Sequence, residues 1–304
     1  MATIATTSPP TTTARAFPLT YFIIAFVFTG FFWTLAALGA RDVIPAVPGL
    51  TVIGTFGPLV AAVIVTAQES GRAGVRSLFG RVVHWRVAPI WYGVVLLGPI
   101  LLYLIGLALE VVALGGQTPS LGALIGALPM LVIITVYMVI FVALGEEVGW
   151  RGYALPALQA RYGALLSSVI LGVLWALWHL PVFLNPDTHY SNLPFVLQLA
   201  FQIPLAILIT WVFNSTGGSV LMAILLHAVF NASGRLWNTL PEYSVEPPTA
   251  AEAAAQTVHI NIMMTIVLWV AAVVVVLVYG PRNLSRHPRQ GLAIARSESQ
   301  PRVC

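Results

Sequence analysis

Three short groups of residues in this sequence have the types and spacings that chemistry needs. The first is Gly145-Glu146-Glu147-Val148-Gly149-Trp150-Arg151-Gly152. Residues four apart share a helix face, so Glu147 can reach Arg151, while Glu146 projects about 100° away. Two adjacent carboxylates in a low-dielectric site cannot both ionise cheaply. With Glu147 neutralised by the arginine, Glu146 is left as a candidate general base. Gly145 and Gly149 would let a neighbouring helix approach closely. The second group is His179, in Leu174-Trp175-Ala176-Leu177-Trp178-His179-Leu180-Pro181; histidine in an apolar run is a common metal ligand and proton carrier. The third is His227 with Asn231, four apart and therefore about 6 Å from one another on one face. Both can donate toward one point, as an oxyanion requires, and a metal or water site could use the same pair.

A buried acid, two histidines and a carboxamide point to hydrolysis. Other hydrolytic arrangements are absent. There is no His-Glu-x-x-His zinc motif, and the only aspartates, Asp42 and Asp187, lie outside the apolar runs. Gly217-Gly218-Ser219 lacks a nucleophile signature and reads as a turn before a helix. Each group also has a plain structural reading: a helix-end ion pair, a histidine bonded to a backbone carbonyl, and polar glue between helices.

The elements that must position these residues are membrane helices. The chain has 304 residues, 59% hydrophobic and only 8% charged, against about 25% charged in soluble domains. So little charge cannot cover a water-exposed surface. Apolar runs fall at about 19–38, 50–67, 88–114, 121–145, 164–184, 193–213, 217–236 and 258–279. Each approaches the ~20 residues a spanning helix needs. The expectation is an all-α polytopic transmembrane bundle of about eight spanning helices over residues 18–280. A disordered polar tail (1–17) would precede it and a basic tail (281–304) would follow. No internal repeat stands out.

Eight crossings place both termini on one side. That side then carries Arg15, Arg72, Arg76, Arg81, Arg86, Arg151, Arg161, Arg282, Arg286, Arg289, Arg296 and Arg302, leaving Arg41 and Arg235 on the other. By the positive-inside rule both termini are cytoplasmic, in what reads as a bacterial plasma membrane. The basic tail then lies beside anionic lipid, and no nucleic-acid partner is implied. The single cysteine, Cys304, excludes an internal disulfide. If the helix bearing Glu146 ended at Gly145, His179 would lie about 15–20 Å deeper than Glu146. That helix is therefore expected to continue to about Leu155, just before Pro156, and to tilt, with the site opening toward the cytoplasm.

Over about residues 120–235 the chain resembles the CAAX-processing and bacteriocin-processing intramembrane endopeptidases, the CPBP or Abi family. The resemblance rests on Glu146-Glu147-Val148-Gly149-Trp150-Arg151, then Trp175 with His179 four residues on, then His227 with Asn231, in that order. Trp175 stands where the family most often has Phe. The resemblance implies a protease acting on a membrane-associated, sometimes lipidated, peptide or protein. In it Glu146 activates the attacking water, and His179 holds the same water or a metal. His227 and Asn231 stabilise the oxyanion, while Glu147 and Arg151 orient the site. If a metal takes part, the implied ion is Zn2+ on Glu146, His179 and His227; a metal-free mechanism uses the same residues. Rival readings are a non-catalytic immunity or partner-binding membrane protein and a proton-coupled transporter.

Overall fold

The computed structural model describes residues 17–114, 118–237 and 249–291. The expected N-terminal tail (residues 1–16), the C-terminal tail beyond 291 and the acidic stretch with Glu242 and Glu246 lie outside the described residues. Among the described residues the regular structure is entirely helical.

Six helical stretches are long and apolar enough to cross a membrane: Leu19–Gly39, Ile90–Val112, Leu128–Gln159, Ala164–Leu184, Phe195–Ser215 and Val258–Tyr279. They belong to helices α1 (Leu19–Gly39) and α4 (Ile90–Leu114), to the composite rod described below, and to α9 (Ala164–Trp178), α10 (Phe195–Ser215) and α12 (Ala250–Tyr279). A shorter apolar stretch, Val220–Arg235, lies in α11 (Val220–Trp237). Lipid-facing backbone must satisfy its own hydrogen bonds, and a helix does so within one segment. Side chains such as Ile23, Val27, Phe31, Leu97, Leu101 and Leu277 are accordingly exposed on the outside of the bundle.

The second apolar run departs from expectation. It is divided at Phe56 between α2 (Leu50–Thr55) and α3 (Gly57–Val82), and α3 bends at Gly71, whose φ is 58°. Pro58 at the start of α3 suits a helix first turn. Only the two segments together, 50–70, have the length of a crossing.

The composite rod carries the first motif. It comprises α6 (Leu128–Met138), a π turn at Val139–Ala143, α7 (Leu144–Gly149), a second π turn at Trp150–Ala154 and α8 (Leu155–Gln159). The rod thus continues past the expected stop at Leu155. Pro156 lies in the first turn of α8, where its missing N–H costs little. The wide turn before it accommodates the ring. Glu146 and Glu147 sit between the two π turns, a feature frequent at functional sites. A short helix α5 (Leu121–Gly126) precedes the rod.

Gly145 and Gly149 do what their spacing predicts. A methyl on Gly145 would stand 3.0 Å from the Thr55 carbonyl oxygen, and one on Gly149 would overlap Pro58. The α2–α3 break therefore lies directly against α7.

The two ends of the bundle differ. At one end the chain after α12 folds back across the helices. Asn214 and Gln159 exchange side-chain hydrogen bonds of 2.8 and 3.1 Å. Gln159 also donates to the Gln290 carbonyl, Asn214 to that of Asn283, and Arg289 to the Gln159 carbonyl. Arg81 donates to the Gly152 carbonyl there. Ser219 donates to the His84 carbonyl and accepts from the Met222 N–H, so Gly217-Gly218-Ser219 is a turn and helix cap as expected. At the opposite end Arg41 donates to the Leu184 carbonyl, joining the end of α1 to the segment after α9.

Candidate functional site

The site forms where α7, α9 and α11 meet. Its ionisable groups are buried: Glu147 and Arg151 are 0% exposed, Glu146 and His227 3%, and His179 7%. In a membrane bundle so poor in charge, such groups mark function by default.

Glu147 and Arg151 pair as their spacing predicts, with Arg151 Nη1 donating to Glu147 Oε1 at 2.8 Å. His227 Nδ1 reaches the same oxygen, also at 2.8 Å. A carboxylate only accepts, so His227 is the Nδ1–H tautomer or the imidazolium. Glu147 thereby joins α7 to α11 and holds the imidazole with Nε2 directed away from it.

Glu146 is left to the other side of α7, where Trp175 Nε1 donates to its Oε2 at 2.6 Å. Trp175 is the hub of the cluster. Its backbone carbonyl lies 2.8 Å from His179 Nδ1, so that nitrogen carries a proton and neutral His179 keeps a lone pair on Nε2. Its ring meets the His227 ring edge-on at 5.3 Å and lies under the Arg151 guanidinium at 4.6 Å. Trp175 thus contacts Glu146, Arg151 and His227 through its ring and His179 through its backbone carbonyl.

His179 does not lie within the helix, as its place in an apolar run suggested. It is the residue on which α9 ends, and Pro181 lies in the short 3-10 turn Leu180–Leu184 that follows. Trp33 of α1 and Tyr190 pack on its ring at 5.8 and 5.4 Å. Tyr190 was not legible as a site residue, because it sits in a polar connection (185–194) with no periodic pattern. Asn231, one turn beyond His227, is half-buried, and its side chain has no hydrogen-bond partner among the described residues. Buried without a protein partner are also Glu147 Oε2, Arg151 Nε and Nη2, and the Trp150 indole N–H. The site therefore keeps polar capacity for a ligand.

The expected zinc ligands do not assemble. Among the described residues no three His, Cys, Asp or Glu side chains come together to hold a metal ion. A zinc site needs about three convergent ligands. Glu146, His179 and His227 in this arrangement do not fit one.

One expectation about charge also changes: Arg151, assigned by sequence to a cytoplasmic loop, is a fully buried member of the site. Every residue from Gly145 to Gln159 is buried, and the 281–291 segment is bonded to Gln159 and Asn214 at the arginine-rich end.

Fold and site together define a polytopic membrane protein with a buried carboxylate–imidazole centre. Residues 128–233 match the family described as type II CAAX prenyl endopeptidase, Rce1-like. That match spans the segment that carries the site. A relative named CAAX prenyl protease 2, from Methanococcus maripaludis, is 34% identical over 109 residues. The match covers 33% of this chain and 39% of the relative, so the chain spans about two fifths of the relative's length. The family match, over 128–233, runs along the helices that hold the three motifs.

Proposed function

We propose that this protein is an intramembrane endopeptidase of the CAAX prenyl protease type. It hydrolyses a peptide bond in a membrane-associated, lipidated or otherwise anchored, substrate. Glu146 is the general base: it takes a proton from a water molecule as that water attacks the scissile carbonyl. The observation that carries this reading is the Glu146 carboxylate, buried, free of any arginine and held by Trp175. His179 helps hold the water through the Nε2 lone pair that its Nδ1–H bond to Trp175 leaves available. The Asn231 amide and, in the imidazolium form, His227 Nε2–H donate to the oxyanion; such donors are worth about 3–4 kcal/mol each. Glu147 and Arg151 orient His227. Glu146 then returns its proton to the leaving amine, and a carboxylic acid and an amine are released.

The test is cleavage of a quenched, membrane-anchored peptide library by the purified wild-type protein, with and without a strong chelator. Cleavage that persists with chelator supports the Glu–His mechanism. Cleavage abolished by chelator and restored by zinc overturns the metal-free route. No cleavage of any member sinks the protease reading and favours the immunity or partner-binding role.

A further inference from the structure

The chain between the second and third crossings carries a basic surface that the proposed reaction does not use. After the bend at Gly71, α3 runs on to Val82 as a short helix, and Trp85 and Arg86 lead from it toward α4 at Ile90. A segment that joins one crossing to the next lies at the membrane boundary. Arg72, Arg76, Arg81 and Arg86 fall in it, and no Asp or Glu occurs from residue 70 to residue 109.

The two faces of this helix differ. Arg72, Arg76, Phe79 and Val83 recur at intervals of four, three and four and so share a face, and all four are exposed. Trp85 and Arg86, exposed beside them, stack at 5.3 Å. Among the described residues Arg72, Arg76 and Arg86 pair with no carboxylate. Guanidinium groups interleaved with Phe, Val and Trp at this depth are the pattern of a helix lying in the headgroup layer. The cations meet lipid phosphate, and the apolar side chains reach the acyl boundary.

The opposite face rests on the site. Leu78 is buried, and its Cδ1 would stand 2.7 Å from a methyl on Gly152. Arg81 donates to the Gly152 carbonyl at 3.2 Å. Gly152 directly follows Arg151 in the second π turn. On the near side of the bend, Glu69 accepts from the Tyr153 hydroxyl at 2.9 Å. The turn that carries Arg151 is therefore held from both sides of Gly71.

We propose that the exposed face of residues 72–86 binds the headgroups of anionic phospholipids, and that the bound lipid holds the basic helix against Gly152 and so fixes the turn that carries Arg151. The bilayer's charge then sets how firmly the Glu147–Arg151 pair is placed. Any effect on cleavage rests on the proposed protease reading, but lipid binding and the tightening of the turn do not.

The experiment titrates the purified full chain, in neutral detergent, with phosphatidylglycerol, phosphatidylcholine or free glycerol phosphate, and reads the unfolding midpoint. The midpoint should rise with phosphatidylglycerol alone. The triple variant Arg72→Gln, Arg76→Gln, Arg86→Gln should lose that rise, and the corresponding triple Arg→Lys variant should keep it. At about fivefold in lipid affinity for each arginine, the Gln variant loses about a hundredfold. An equal rise with phosphatidylcholine or glycerol phosphate, or an undiminished rise in the triple Gln variant, overturns the lipid site. Hydrogen exchange reads the second half of the proposal. Phosphatidylglycerol should slow exchange of the amides at 150–154 in the wild type and not in Arg81→Gln, which keeps the three exposed arginines. Exchange there that ignores the lipid, or slows equally in Arg81→Gln, overturns the coupling. Both readouts are independent of cleavage, so failure of the protease reading leaves a separate signature.

Discussion

The indole N–H of Trp175 meets the carboxylate of Glu146 at 2.6 Å, while its backbone carbonyl meets His179 Nδ1 at 2.8 Å. A single residue of α9 therefore orients both groups proposed to handle the water. The resemblance offers Phe at this position, and Phe supplies the ring without the donor. Trp175→Phe should lower kcat about ten- to a hundredfold with KM unchanged. That range follows from about 1.5–3 kcal/mol for a hydrogen bond to a charged group and 1.36 kcal/mol per tenfold in rate. An isosteric analogue with sulfur in place of the indole N–H should reproduce the loss. Steady-state kinetics on both proteins, with unchanged kcat in either, would remove Trp175 from this role.

The pair Glu147–Arg151 is fully buried. Removing one partner of such a pair leaves an uncompensated charge, a change that costs about 3–5 kcal/mol. Arg151→Leu should therefore lower the unfolding midpoint in detergent steeply, and Glu147→Gln in the same background should recover part of the loss. Equal midpoints for wild type and Arg151→Leu would show that the pair does not hold α7 as described.

How far the sequence led can be judged residue by residue. The Glu147–Arg151 contact, the close packing at Gly149 and the helical bundle follow from spacing and from run length. Those are local properties that a helix imposes on its own sequence. What spacing cannot show is where separate helices meet. The turn of Glu146 toward Trp175, the engagement of His227 with Glu147 and the stacking of Tyr190 on His179 are contacts between distant segments. The division at Phe56 and the continuation of the rod through Pro156 were hidden for a related reason. Both depend on irregular turns that leave no mark on the hydropathy.

A Cβ on Gly149 has no room against Pro58. Overpacking a tight contact costs about 1–3 kcal/mol, so Gly149→Ala should destabilise the protein by that amount and reduce activity by shifting α7. Gly122→Ala, where the nearest atom is 3.9 Å away, is the control and should leave the midpoint within error. Thermal unfolding of the two variants side by side reads the difference.

Asn214 and Gln159 satisfy each other and tie down the 281–291 segment. Asn214→Leu should cost about 1–3 kcal/mol, because it orphans buried polar atoms of Gln159. Adding Gln159→Leu should cost less than the sum of the two single changes, as expected for partners in one network. A double-mutant cycle by denaturant unfolding measures the coupling, and strict additivity would contradict the pairing.

The central claim is that Glu146 is the base. It is tested most directly by the cleavage rate of Glu146→Gln beside wild type on an anchored peptide that the wild type cuts, with both unfolding midpoints recorded. Glutamine keeps the size and can still accept from Trp175 but cannot take a proton. The account predicts a rate at least about 10²-fold lower, the smaller end of what general-base catalysis contributes, with an unchanged midpoint. A Glu146→Gln protein that cleaves at the wild-type rate would contradict it.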